Sequence, residues 1–266
     1  MLNITTRLRL TWTNGVRYLP LLQNLISREL KKRYRQSVLG YLWCVLNPLL
    51  VMLIMTVVFS RMFARDIENF PVYLFAGRMM YSFITDCGGA IMHSIVNNGS
   101  LMRKTRIPYY VFPLSAFGCS VVNFLFQLVA FALVLLFTRT PVSIHVVAFP
   151  AVMLLMFLFS FGFGMLLAIL NVFVRDTHYL YAVFLTAWLY LTPLFYPITA
   201  LSERMQFLIR NFNPAYYFVE MSRNIFLDHV WPGPDMLLRG AIAAAVFLVI
   251  GLTAYAKTRK NIILYV

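Results

Sequence analysis

Apolar residues in this chain fall in long uninterrupted blocks, and polar residues collect between them. No charged residue occurs between Arg35 and Arg61, between Arg106 and Arg139, or between Arg139 and Arg175. About 20 apolar residues, each rising ~1.5 Å, span a ~30 Å hydrocarbon core as a helix. The blocks predict six membrane-spanning helices, over 39–60, 72–95, 114–137, within 146–174, 179–196 and 239–256. Pro48, following Asn47, predicts a kink in the first. The connection 197–238 is too long for a simple turn. It holds an apolar stretch from Asn213 to Val219 that is too short to cross. A pair of re-entrant helices in the outer leaflet is expected there, with protein or water shielding its backbone. Before the first span, Leu22, Leu25, Ile26 and Leu30 share one helical face while Arg28, Lys31, Lys32 and Arg35 project elsewhere. That spacing predicts an amphipathic helix lying in the membrane interface. The expected fold is an all-α membrane protein, with an interfacial region over 1–38 and a six-span domain over 39–266.

Composition sharpens this picture. The chain is 61% hydrophobic and only 12% charged, which excludes an ordinary soluble domain. Its net charge of +14 argues for membrane topology rather than nucleic acid, because the basic residues flank the apolar blocks. With a cytoplasmic N-terminus, fifteen Lys and Arg fall on that side and seven on the other, and Arg78 lies inside a span. The bias places both termini in the cytoplasm. Asp66, Glu68, Glu203, Glu220, Asp228 and Asp235 all fall outside. Cys44, Cys87 and Cys119 lie in apolar segments without metal-ligand spacing, so neither a metal site nor a disulfide framework is read from them.

Few constellations carry chemistry. Arg78, Ser82, Asp86, Gly89 and His93 form a polar stripe along one face of the second span. Ionisable groups are costly in hydrocarbon, so this face must meet protein or water. Helix packing through an Arg–Asp interaction and a translocation surface both fit. In the fourth span Ser160, Gly164 and Ala168, with Gly162 beside them, provide the small-residue spacing of close helix packing. The segment 97–108 is basic and compact. Ser100 is placed to cap a short helix ending before Pro108, giving either a topology-setting loop or a docking element. Aromatic residues near the span ends, among them Tyr41, Trp43, Trp188, Tyr190, Tyr196 and Tyr216, fit interfacial belts or stacking platforms for sugar rings. No GxxxxGK[ST] loop occurs, so the chain does not cradle ATP in a P-loop. Asp176 and His178 form an acid–His pair in a cytoplasmic turn, too little for a catalytic centre.

Several of these segments together resemble one family. The run from Arg28 to Trp43 (RELKKRYRQSVLGYLW), followed by Leu46-Asn47-Pro48, is similar to the N-terminal signature of type-2 ABC exporter permeases. Within them it resembles the branch exporting O-antigen, capsule and teichoic acid polymers. The segment from Leu101 to Pro108 (LMRKTRIP), then Phe112-Pro113, resembles the first coupling loop of that family. The run from Asn171 to Asp176 (NVFVRD) resembles the close of its fourth span. The stretch from Thr192 to Pro197 (TPLFYP), with Asn213-Pro214, resembles its extracellular gate region. The run Asn261 to Val266 (NIILYV) resembles tails of the polysaccharide branch. One departure is Tyr109-Tyr110 after Pro108, where similar permeases carry an acidic residue.

The resemblance implies a homodimer of permeases served by two separate ATP-binding cassette subunits, with ATP and Mg held by those partners and no cofactor on this chain. It implies that Ser100, Leu101, Met102, Arg103, Lys104, Arg106, Pro108, Arg175 and Asp176 meet the ATPase. It implies that Arg28, Lys31, Lys32, Arg33, Tyr34 and Arg35 stand beside a cytoplasmic lateral opening, attracting the diphosphate of a polyprenyl-linked glycan. Tyr41, Trp43, Arg78, Asp86, Trp188, Tyr190, Tyr196 and Tyr216 are the expected conduit lining. The expected function is export of lipid-linked polysaccharide across the cytoplasmic membrane of a bacterium, without covalent chemistry in this chain. Alternatives are a permease of the same type for a drug, lipid or haem, and a membrane-embedded polyprenyl-phosphate transferase.

Overall fold

The computed structural model describes residues 18–34, 37–63, 67, 69–104, 107–259 and 261–265. All regular structure among them is helical. Helix α1 is Leu19–Tyr34, and a 3₁₀ turn at Gly40–Leu42 leads into α2, Trp43–Phe63. Helix α3 is Phe70–Asn97, α4 is Gly99–Lys104 and α5 is Val111–Phe137. Helix α6, Phe149–Phe173, follows a 3₁₀ segment at Ile144–Ala148, and α7 is Thr177–Leu191. Then come α8, Glu203–Phe212; α9, Pro214–Phe226; α10, Pro234–Thr258; and α11, Ile262–Tyr265.

Among the described residues, four segments are long and apolar enough to cross a membrane: Gly40–Phe59, Val111–Phe137, Ile144–Phe173 and Pro234–Thr258. Helix α3 has the length, with 28 residues, but Arg78, Asp86 and His93 dilute its hydropathy. Helix α7 is shorter than its block suggests. The expected end at Tyr196 is corrected to Leu191, because Thr192 precedes Pro193 and is extended at φ −102°, ψ 121°. The ring of the following proline clashes with a helical residue in that position. Pro48, by contrast, sits early in α2, and the helix continues past it.

Helices α3 and α6 form the centre of the packing. Val72, Leu74, Ala76, Met80, Ile84, Ile91 and Ile95 of α3 are fully buried, as are Val152, Met156 and Ala168 of α6. Glycines set the close approaches. A Cβ on Gly162 would strike the backbone of Phe247 and Leu248 in α10, and one on Gly251 would strike the Gly162 carbonyl. A Cβ on Gly164 would lie 2.8 Å from Ile91 of α3. The small-residue spacing of α6 therefore serves packing on both flanks, as small residues do where lipid offers no hydrophobic drive.

The periphery is looser. Leu50, Leu53, Ile54, Val57 and Val58 of α2 are exposed, and so are Tyr179, Leu180, Val183 and Phe184 of α7. The amphipathic α1 lies along α5. Its Leu25 is buried, and Ile26 reaches the surface of Gly118.

Candidate functional site

Helices α1, α2, α3, α5 and α7 bound a cavity of about 1240 Å³. At one end it is lined by Arg28, Glu29 and Lys32 of α1, with Asn97 of α3. Farther along α3 come His93, whose ring neighbours that of His178 of α7, and Asp86, and the α5 side of the lining adds Asn123 and Gln127. Trp43, Phe83, Phe124 and Tyr181 supply aromatic wall. The polar stripe of α3 thus opens onto free space through Asp86, Gly89 and His93. Arg78 does not line it but lies within electrostatic reach of Asp86, while Ser82 Oγ donates to Gln127 Oε1 at 3.3 Å. The step of 11 residues from Asn97 to Asp86 corresponds to about 16 Å of depth at the helical rise.

A second pocket, of about 480 Å³, adjoins the basic end. Arg28, Glu29 and Lys32 of α1 face Asn98, Ser100, Leu101 and Lys104 there. Arg28 Nη2 donates to Asn98 Oδ1 at 3.1 Å and pairs with Glu29 at 3.3 Å. Helix α1 and the basic α4 element are therefore joined, which their separation in sequence did not reveal. The expected cap of α4 is corrected. Leu101 N and Met102 N both donate to Asn98 O, so the helix starts from Asn98 and Ser100 lies inside its first turn. Buried Met102 anchors α4, leaving Ser100, Arg103 and Lys104 exposed.

The other expected coupling residues lie at the same end of α3. Asn171 Nδ2 donates to Met92 O at 3.2 Å, fixing the end of α6 to α3. Arg175 and Asp176 are exposed in the turn that follows. His178 Nδ1 donates to Arg175 O at 2.7 Å, not to Asp176, and its ring lies 6.1 Å from that of His93. Helix α11 packs on α4 and α6. Its Ile262 is fully buried, and the Tyr265 ring meets Phe173 edge-on. Among the other expected residues, Pro108 lies between α4 and α5 and is half-buried. Lys31 is exposed. Arg33 and Tyr34 belong to the last turn of α1. Arg35 and Arg106 lie outside the described residues.

The aromatic candidates divide. Tyr41, Trp43 and Tyr190 are exposed. Tyr196 is half-buried and donates through its hydroxyl to Tyr190 O. Trp188 and Tyr216 are enclosed within the packing of a single chain, 6% and 2% exposed, and line neither of the two pockets described above. Trp188 Nε1 donates to Asn213 Oδ1 at 2.8 Å. Asn213 also caps α9 through Ala215 N and donates to Thr192 Oγ1.

The sequence reading missed Arg223, which it counted as an exterior loop charge. In α9 this side chain is 4% exposed. Nη1 donates to Pro193 O at 2.8 Å and Nη2 to Leu194 O at 3.0 Å. The guanidinium carbon stands 3.5 Å over the Tyr73 ring, and Glu220 lies 3.8 Å away. Burial pushes the Glu220 carboxyl above its usual range, against the pull of Arg223. One cation therefore ties the break after α7 to both α9 and α3. A signal was present: Arg223 lies seven residues after Tyr216, on the same helical face as Val219.

Residues 20–227 match the family described as "ABC-2 type transporter". The chain belongs to the ABC-2 type transporter family. As a member it is a transport subunit embedded in a membrane through several helices, and ATP hydrolysis falls to a separate subunit. The permease is 31% identical over 246 residues to an "O-antigen export system permease protein RfbA" of Myxococcus xanthus, covering 92% of this chain and 94% of that one. It is 28% identical over 209 residues to a protein of the same name from Klebsiella pneumoniae, covering 78% and 80%.

Proposed function

We propose that this chain is the permease subunit of an ABC exporter that carries an O-antigen-type polysaccharide, linked to a polyprenyl diphosphate, out across the cytoplasmic membrane. The cavity carries this reading: its end is basic, its interior is polar and aromatic, and it opens beside an interfacial helix. Arg28 and Lys32 attract the diphosphate, while the exposed apolar flank of α2 gives the prenyl chain a lipid-like path. The near full-length likeness to permeases named for O-antigen export supports the class of cargo. Six crossings, with α3 and α7 spanning beside their partners, put both termini in the cytoplasm and α4 on the cytoplasmic surface. Helices α8 and α9 then form the re-entrant pair on the far side. The exposed flanks of α2 and α7 fit a second copy, so that two permeases enclose the path.

Nucleotide and Mg belong to two partner ATPases, and this chain holds no cofactor. Closure of the ATPases pushes on α4 and on the Arg175–Asp176 turn. The push travels along α3, about 36 Å from Asn97 to Tyr73, to the Arg223 clamp at the other end. Deleting the gene tests the reading. Surface polysaccharide should disappear and lipid-linked glycan should accumulate on the cytoplasmic face, with both effects reversed by the restored gene. Normal surface polysaccharide in the deletion strain would overturn the proposal.

A further inference from the structure

We infer that the α3–α5 wall of the large cavity, formed by Asp86, Asn123 and Gln127, is a binding site for sugar hydroxyls that reads a saccharide a few units beyond the diphosphate. It rests on the function proposed above and assigns a site to a part of the molecule which that reading leaves as mere lining.

Polar side chains are expensive inside a membrane domain and persist where they meet each other, water or a ligand. Here a carboxylate and two carboxamides from two helices face one cavity, with Phe83 and Phe124 beside them. The two carboxamides keep hydrogen-bonding capacity to spare. Gln127 receives one hydrogen bond, from Ser82. Among the described residues, Asn123 offers its amide to Cys119 Sγ at 4.0 Å, and its enclosed Oδ1 has no hydrogen-bond partner. An unpaired acceptor enclosed in this way costs about 1–3 kcal/mol, so a turn of the Asn123 side chain toward a ligand in the cavity would cost no existing bond to that oxygen. Asn and Gln carry both donors and acceptors, and Asp accepts. Such a set matches the vicinal hydroxyls of a pyranose.

Position selects the ligand further. The cluster lies on the cavity wall beyond the basic end, where Arg28 and Lys32 stand. A molecule with its anion at that end and hydroxyls deeper satisfies both parts together. A bare lipid diphosphate satisfies only the first. An apolar drug leaves the carboxamides unpaired, at a cost.

Equilibrium binding to the full-length permease in lipid nanodiscs tests this, with two radiolabelled probes. One is a polyprenyl diphosphate bearing a short oligosaccharide; the other is the same lipid diphosphate without sugar. The wild type should hold the glycosylated probe about tenfold more tightly, the worth of one or two net hydrogen bonds. The pair Asn123→Leu and Gln127→Leu should bring the two affinities within about twofold while leaving that of the bare probe unchanged. Asn123→Ser with Gln127→Ser, smaller and still polar, should reduce the preference in the same direction and serves if the leucine pair does not fold. Equal affinities in the wild type, or a preference that survives both pairs, would overturn the hydroxyl site and leave the diphosphate reading standing. Binding of neither probe by the wild type would overturn the lipid-diphosphate reading and the site with it.

Discussion

Exchange of Arg103 and Lys104 for glutamate should disconnect the permease from its ATPase while leaving its fold intact. Both side chains are exposed, and the buried anchor of α4 is Met102, so the core loses nothing. The docking surface proposed on α4, however, changes sign. Placing like charges against a partner costs several kcal/mol, so association should weaken on the order of a hundredfold. Two readouts check this. The ATPase should no longer co-purify with the double variant, and polysaccharide export should stop although the thermal midpoint of the isolated permease is unchanged. Intact co-purification with normal export would remove α4 from the coupling path.

Arg223→Met should be among the most damaging single substitutions in the chain. Its guanidinium serves the carbonyls of Pro193 and Leu194 and covers the Tyr73 ring. Methionine fills much of the volume but donates nothing. The two carbonyls are left without those donors and Glu220 without its counter-ion, a loss of about 3–5 kcal/mol by the measure of broken buried ion pairs. A fall in thermal midpoint in detergent reads it directly. Arg223→Lys keeps the charge yet lacks the planar fork, and should fall between the two. The clamp ties the break after α7 to α9, so the lysine variant should also export less polymer per ATP hydrolysed. A melting curve for Arg223→Met equal to that of the wild type would refute the clamp.

The sequence made the helical membrane architecture legible because the chemistry of lipid writes it in long apolar blocks. The blocks behind α2, α5, α6 and α10 stand out by hydropathy alone. The second block was recognisable but ambiguous, since Arg78 and Asp86 on one face fit packing and pore equally. Only the placement of α5 against α3 shows that Asp86 and His93 meet a cavity while Arg78 does not. The end of α7 was misjudged because Pro197 drew attention from Pro193, whose restriction on Thr192 acts first. Trp188 and Tyr216 were ambiguous in sequence, because an aromatic near a span end looks the same whether it faces a conduit or closes a core, and both are buried within one chain. The joining of Arg28 to Asn98 spans 70 residues of sequence. No local pattern encodes such a contact. Arg223 was hidden by the opposite assumption, that a cation in a connecting segment faces water.

The central claim is that this chain is a passive gate, driven by a neighbour's nucleotide hydrolysis. Reconstitution into proteoliposomes, with the partner ATPase facing outward and lipid-linked glycan in the outer leaflet, measures it directly. Glycan should reach the lumen only when paired permeases, the ATPase and ATP-Mg are all present. Transfer by the permease alone, at the same rate without nucleotide, would contradict it.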